Sequence, residues 1–216
     1  ACGNGSRCVA SLLFRESGQD KVLIESRAGL LKGEIGPDGL VQVDMGPAYL
    51  DWREIPLAFE ADTLSLDLTY QPRQGPKLTA PCVVSMGNPH AVFFVEDLDA
   101  IDIPTVGPIL ENHDVFPERA NIGFVQILGQ DRLRLRVWER GAGLTLACGS
   151  GACAALVASH RRGKCARRAY LTVDGGELII EWRETDGHVL MSGGVATAFS
   201  GILDESLVAL VQRSPA

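Results

Sequence analysis

The segment Ala152-Cys153-Ala154-Ala155-Leu156-Val157-Ala158 has almost no polar face, and Gly163 stands where a helix over 152–162 would stop. A helix apolar all round is stable only when enclosed on nearly every side, so the rest of the chain must wrap it. What is left supplies strands. Alternation of apolar and polar residues marks 39–45 and 132–139, and Asp174-Gly175-Gly176 reads as a tight turn joining strands at 170–173 and 177–182. A second helix, nearly as apolar, is predicted over 6–17, stopped by Gly18, and a shorter one over 105–111 after Pro104. Two enclosed helices, each among short strands, predict an α+β chain of two strand-wrapped units related by duplication. The Pro-rich run 70–81 reads as a loop inside one unit, and the apolar spacing of Leu203, Leu207, Val208, Leu210 and Val211 as an amphipathic tail helix.

Both apolar helices open on the same device: Cys2-Gly3-Asn4-Gly5-Ser6-Arg7-Cys8 for the first, Cys148-Gly149-Ser150-Gly151-Ala152-Cys153 for the second. The glycines let the backbone turn tightly, and Asn4 and Ser150 can cap the helix that follows. Unpaired N–H groups and the positive end of the helix dipole then face the cysteine, a setting that lowers a thiol pKa and welcomes an anion. Two such cysteines suggest two bases working together in proton transfer at carbon. Competing uses of cysteine fit less well. The spacings C-x5-C and C-x4-C, with four histidines in the chain, do not match paired zinc ligands, and 216 residues with 46% hydrophobic content need no disulfide staples. Cys8 and Cys153 are expected to be small core residues.

A net charge of −7 argues against nucleic-acid and anionic-membrane partners, both of which reward a basic surface. The cluster Arg161, Arg162, Lys164, Arg167 and Arg168 reads as a solvated helix end that complements the dipole. No apolar run reaches the length of a membrane span, and a cytoplasmic location is expected. The sequence shows no phosphate-binding loop, no dinucleotide fingerprint and no clear cofactor-lysine motif.

Three further segments interrupt strand-like runs with groups that turn, donate and titrate: Ser85-Met86-Gly87-Asn88-Pro89-His90, Glu118-Arg119-Ala120-Asn121-Ile122-Gly123-Phe124 and Trp138-Glu139-Arg140-Gly141-Ala142-Gly143. With the two cysteine devices, and in this order, they resemble the diaminopimelate epimerase family over essentially the whole chain. The resemblance implies two pseudo-symmetric, strand-rich barrels, each around a central helix, with the active site in the cleft between them. It implies interconversion of LL- and meso-diaminopimelate without a cofactor, on the route to lysine and peptidoglycan, and, as in many members, a homodimer. Carried over by motif, Cys2 and Cys148 would be the two catalytic thiols, and His90 and Glu139 auxiliary groups near them. Gly3, Asn4, Gly149 and Ser150 would hold the α-carboxylate and amino group. Asn88, Asn121, Glu139 and Arg140 would complete substrate binding, with Arg140 on the distal carboxylate.

Residues 1–44 with 194–216 are expected to form the remainder of a first unit, and 45–193 the second. The chain starts at Ala1, one residue before the first device, whereas family members carry a substantial upstream segment. The first unit is therefore expected to be incomplete, its helix partly uncovered and its strand edges open. Leu144 stands where the family usually has an acidic residue, which bears on the polar network beneath Cys148. The alternatives are a two-thiol racemase of another amino acid and an inactive remnant.

Overall fold

The computed structural model describes residues 2–26, 29–36 and 38–202; the predicted tail helix lies outside the described residues. In chain order the elements are α1 (Gly3–Ser17), β1 (Lys21–Ser26), β2 (Gly29–Ile35), β3 (Val41–Pro47), β4 (Thr69–Tyr70), β5 (Leu78–Thr79), β6 (Cys82–Ser85) and β7 (Pro89–Phe94). There follow α2 (Ile103–Glu111), β8 (Asn121–Gly129), β9 (Arg132–Glu139), β10 (Gly143–Thr145), α3 (Gly149–Arg161), β11 (Arg168–Val173), β12 (Gly176–Trp182) and β13 (His188–Gly193).

Strands prevail, as their alternation predicts. Eleven of them form one sheet in the order β1-β2-β3-β13-β12-β11-β9-β8-β7-β6, with β10 paired to β9, while β4 and β5 make a separate small hairpin within the Pro-rich run. Pairing is antiparallel except between β7 and β8 and between β9 and β11. The sheet curls around α3, which packs against β6 to β9 and β11 to β13. Residues 151 to 159 of α3 are all buried, the enclosure that its all-apolar sequence demands. α1 lies on β1, β2 and β3, and its inward stripe is Arg7, Ala10 and Phe14, with Gly3 buried at its start. Its other face is open: Val9 and Leu12 are 42% and 50% exposed. Gly18 ends α1 in the left-handed conformation, its N–H donating to Phe14 O at 2.9 Å. β3 pairs with β2 through Val41, Gln42 and Val43 on one side and with β13 on the other, with a register shift between His188 and Leu190, so it joins the β1–β2 pair to the rest of the sheet.

Two readings are corrected. Cys8 is exposed, not core, because it follows Arg7 on the helix and falls off the stripe that carries Arg7, Ala10 and Phe14; Cys153 is fully buried. Arg161 and Arg162 are not simply solvated ends of α3. Arg161 donates to Thr63 O, Thr63 Oγ1, Val83 O and Cys82 Sγ, and Arg162 to Leu64 O and Ala80 O. These bonds tie the loop before β6 to the end of the central helix.

Candidate active site

The two cysteine devices meet. Cys2 and Cys148 are the N-cap residues of α1 and α3, both in extended backbone conformation. A Cβ built on Gly149 would lie 3.3 Å from Gly3 Cα, so the first turns of the two helices touch backbone to backbone. A side chain at Gly149 would press on that backbone, and one at Gly3 on the ends of Met191 and Met45. Asn4 Nδ2 donates to Ala147 O at 3.5 Å, bridging one device to the residue before the other, and Arg7 Nη2 holds Asn4 through Oδ1 at 3.1 Å. The Nε and Nη1 of Arg7 are buried with no hydrogen-bond partner among the described residues, and burial lowers its pKa.

Around Cys148 the polar groups form a connected set. Its Sγ accepts from the Gly151 N–H at 3.4 Å and lies 3.6 Å from Ser150 Oγ. Ser150 Oγ in turn accepts from Asn88 Nδ2 at 3.4 Å, and Asn88 Oδ1 faces His90 Nε2 at 3.1 Å. Gly87, in the left-handed region at φ 83°, lets the chain turn between β6 and β7 and present Asn88. Beside this set, Asn121 Nδ2 donates to Pro89 O at 2.9 Å and Asn121 Oδ1 accepts the Arg140 N–H at 3.0 Å. Arg140 Nη1 donates to Glu118 O at 3.0 Å. Thr145 Oγ1 donates to Glu139 Oε1, while Leu144, opposite Trp138 in the β9–β10 ladder, packs on the apolar cluster of α2. A cleft of about 430 Å³ is lined by Tyr49, Arg53, Asn88, Glu118 and Arg140 among others.

The electrostatics depart from expectation at Cys148. Its thiol is pushed up to about 12, first by burial and then by the Glu139 carboxylate beside it; the Ser150 hydroxyl and Gly151 N–H pull the other way and lose. The helix terminus does not make this cysteine a thiolate at rest, because removing it from water costs the charged form more than one N–H returns. His90 is 1% exposed, and burial, then the Arg140 charge, lowers its pKa to about 3, so the ring is neutral. Because the Asn88 amide donates to Ser150 and turns its Oδ1 acceptor to His90, Nε2 is the nitrogen that carries the proton of the neutral ring.

Cys2, by contrast, is exposed; its carbonyl accepts the Ser6 N–H and hydroxyl, both at 2.9 Å. Among the residues singled out in the sequence, Gly3, Asn4 and Gly149 cluster at the helix contact. Cys148, Ser150, Asn88 and His90 form one chain of polar neighbours, and Asn121 with Arg140 another. Glu139 joins them at Cys148.

The family model for diaminopimelate epimerase matches residues 82–198. A diaminopimelate epimerase of Acidiphilium cryptum (strain JF-5) is 60% identical over 209 residues, covering 97% of this chain and 73% of that protein. Another, of Rhodospirillum centenum (strain ATCC 51521 / SW), is 55% identical over 208 residues, covering 96% and 69%. The chain belongs to the diaminopimelate epimerase family. At the level of fold it is similar to a hydroxyproline epimerase from Agrobacterium vitis, with a TM-score of 0.57 at 15% identity over 87% of this chain and 61% of that one. The strand-rich α+β architecture is thus the architecture of this epimerase fold. Among the described residues no helix is long and apolar enough to cross a membrane.

The sequence reading passed over Glu111, Arg119 and Thr145. Glu111 was detectable: it continues the buried stripe Ile103, Val106, Gly107 and Leu110 of α2, where a carboxylate is out of place unless it is paired.

Proposed function

We propose that this protein interconverts LL- and meso-diaminopimelate by a two-thiol, two-base reaction that needs no cofactor. The observation that carries the reading is the backbone contact of Gly3 with Gly149, which brings two helix N-termini, each capped by a cysteine, to one place. An amino-acid α-proton is weakly acidic, and the carbanion that forms on its removal needs preorganised N–H groups in a site shielded from water. Two helix ends supply them, and they also seat the α-carboxylate. One thiolate removes the α-proton and becomes a thiol, while the other thiol delivers its proton to the opposite face and becomes a thiolate. The roles exchange with the direction of reaction.

Cys148, held protonated by burial and by Glu139, is suited to be the donor when Cys2 is the base. Arg140, at the cleft, suits the distal carboxylate because a guanidinium binds such a group through two parallel N–H donors. Asn88 and Ser150, oriented through His90, suit the amino group and α-carboxylate. In this reading residues 1–44 with 194–216 and residues 45–193 are the two pseudo-symmetric units, the enzyme is cytoplasmic, and it works as a homodimer.

Incubation of the reduced protein with LL-diaminopimelate in D2O, followed by NMR, tests the proposal. Loss of the α-proton signal that disappears in Cys148→Ala is expected. Absence of exchange in the unsubstituted protein overturns it.

A further inference from the structure

Glu111 closes α2 and is 5% exposed, yet it is a carboxylate on the helix face that packs into the core. Donors surround it. Oε1 accepts from the Gly141 N–H at 2.9 Å and from Arg119 Nη1 at 3.2 Å; Oε2 accepts from Trp138 Nε1 at 2.7 Å. Its own carbonyl accepts the Ala120 N–H at 3.3 Å. All four partners belong to the two segments that carry Asn121, Glu139 and Arg140, and Trp138 and Gly141 bracket the last two.

Two features show that these segments need holding. Arg119 is a non-glycine residue in the left-handed region at φ 59°, a conformation that persists only where the surroundings enforce it. Gly141, at φ 75°, turns the chain directly after Arg140, in the turn between β9 and β10 that the Ala142 N–H closes on Glu139 O at 3.0 Å. The Trp138 ring lies against α2 so closely that a Cβ on Gly107 would come within 2.5 Å of Trp138 Cγ and Cδ2. α2 thus meets this indole at both its ring and its N–H.

We propose that Glu111 is a positioning residue: through Trp138, Gly141 and Arg119 its carboxylate sets where Glu139 stands relative to Cys148 and where Arg140 stands in the cleft. It touches no reacting atom, and it matters in this way only if Cys148 and Arg140 act as the two-thiol reading has them. A purely structural brace would lower stability when removed and leave the chemistry of the thiol alone. A positioning residue alters that chemistry.

Glu111→Gln keeps the shape and replaces one acceptor oxygen by an NH2 group that must confront a donor. In the D2O assay its exchange rate is expected to fall on the order of a hundredfold, the scale of a displacement of about 1 Å at a catalytic group, while its melting midpoint drops by a few degrees. The pH profile of Cys148 alkylation by iodoacetamide, read on the Cys148 peptide by mass spectrometry, is expected to move to lower pH as Glu139 withdraws. Trp138→Phe, which loses only the indole donor and keeps a ring against Gly107, should move both readouts the same way by less. It carries the test if Glu111→Gln fails to fold. Unchanged exchange and an unchanged alkylation profile overturn the inference, as does a lower melting point with an unchanged profile. Silence of the unsubstituted protein in the exchange assay would count against the two-thiol reaction, and the alkylation profile would still decide whether Glu111 controls the surroundings of Cys148.

Discussion

Similar local motifs leave Cys2 and Cys148 in different surroundings. Each caps a helix behind glycines, but Cys2 is exposed while Cys148 is buried beside Glu139. Burial raises a thiol pKa and a helix terminus lowers it, so where burial dominates the thiol keeps its proton. His90 shows the same rule for a base, and it has a consequence for stability. Its folded-state pKa, about 3, lies below the unfolded value near 6.5, so between these pH values the unfolded chain binds a proton that the native one does not. Stability from this group is therefore intact above about pH 6.5 and is lost as pH falls toward 3, by up to about tenfold in the folding constant per pH unit. Urea titrations of the protein and of His90→Gln across this range should diverge in slope by one proton, the variant being the less acid-sensitive. Parallel slopes would mean that the ring is not buried and neutral. The identities of these residues could be read from the chain, but their ionisation could not, because burial, the first cause at both, is decided by the packed fold.

At the scale of elements, α3 was the most legible. A run without a polar face admits no surface position, and all of 151 to 159 is buried. α2 was legible as a helix but not as the element that bears on the site, since its role depends on Glu111 and Gly107 meeting residues of β9 and the loop beyond it. Gly107→Ala places a methyl where the indole of Trp138 already stands, and helix and strand must part. Overpacking of this kind costs about 1–3 kcal/mol. A lower melting point is expected together with slower α-proton exchange, because the same displacement moves Glu139 and Arg140; a lower melting point with full activity would separate α2 from the site. The arginines at the end of α3 were misread for a related reason. A basic cluster at a helix end looks solvated until the tertiary fold brings the carbonyls of Thr63, Leu64, Ala80 and Val83 within reach of its guanidinium groups.

For the whole molecule, the decisive contact joins residues distant in the chain: Gly3 against Gly149, with Met45 and Met191 packed around them. A Cβ on Gly149 would meet Gly3 Cα at 3.3 Å, and backbone cannot swing aside as a side-chain end can. Gly149→Ala should therefore push the two helix starts apart by a few tenths of an ångström. Exchange is expected to slow by about tenfold with little change in melting, as measured by NMR and by calorimetry. Full activity would show that the contact tolerates slack.

Taken alone, the chain determined the α+β class, the enclosure of α3, the ends of α1 and α3 at glycine or just before it, and the residues gathered at the site. These follow from periodicity, capping and turn chemistry, which act over a few neighbouring residues. Only the tertiary structure decided that Cys148 rests as a thiol, that His90 is neutral, that Cys8 faces outward, and that Glu111 stands behind Glu139 and Arg140. Each of those depends on burial and on partners brought together from separate segments, and both are properties of the packed chain that no local pattern encodes.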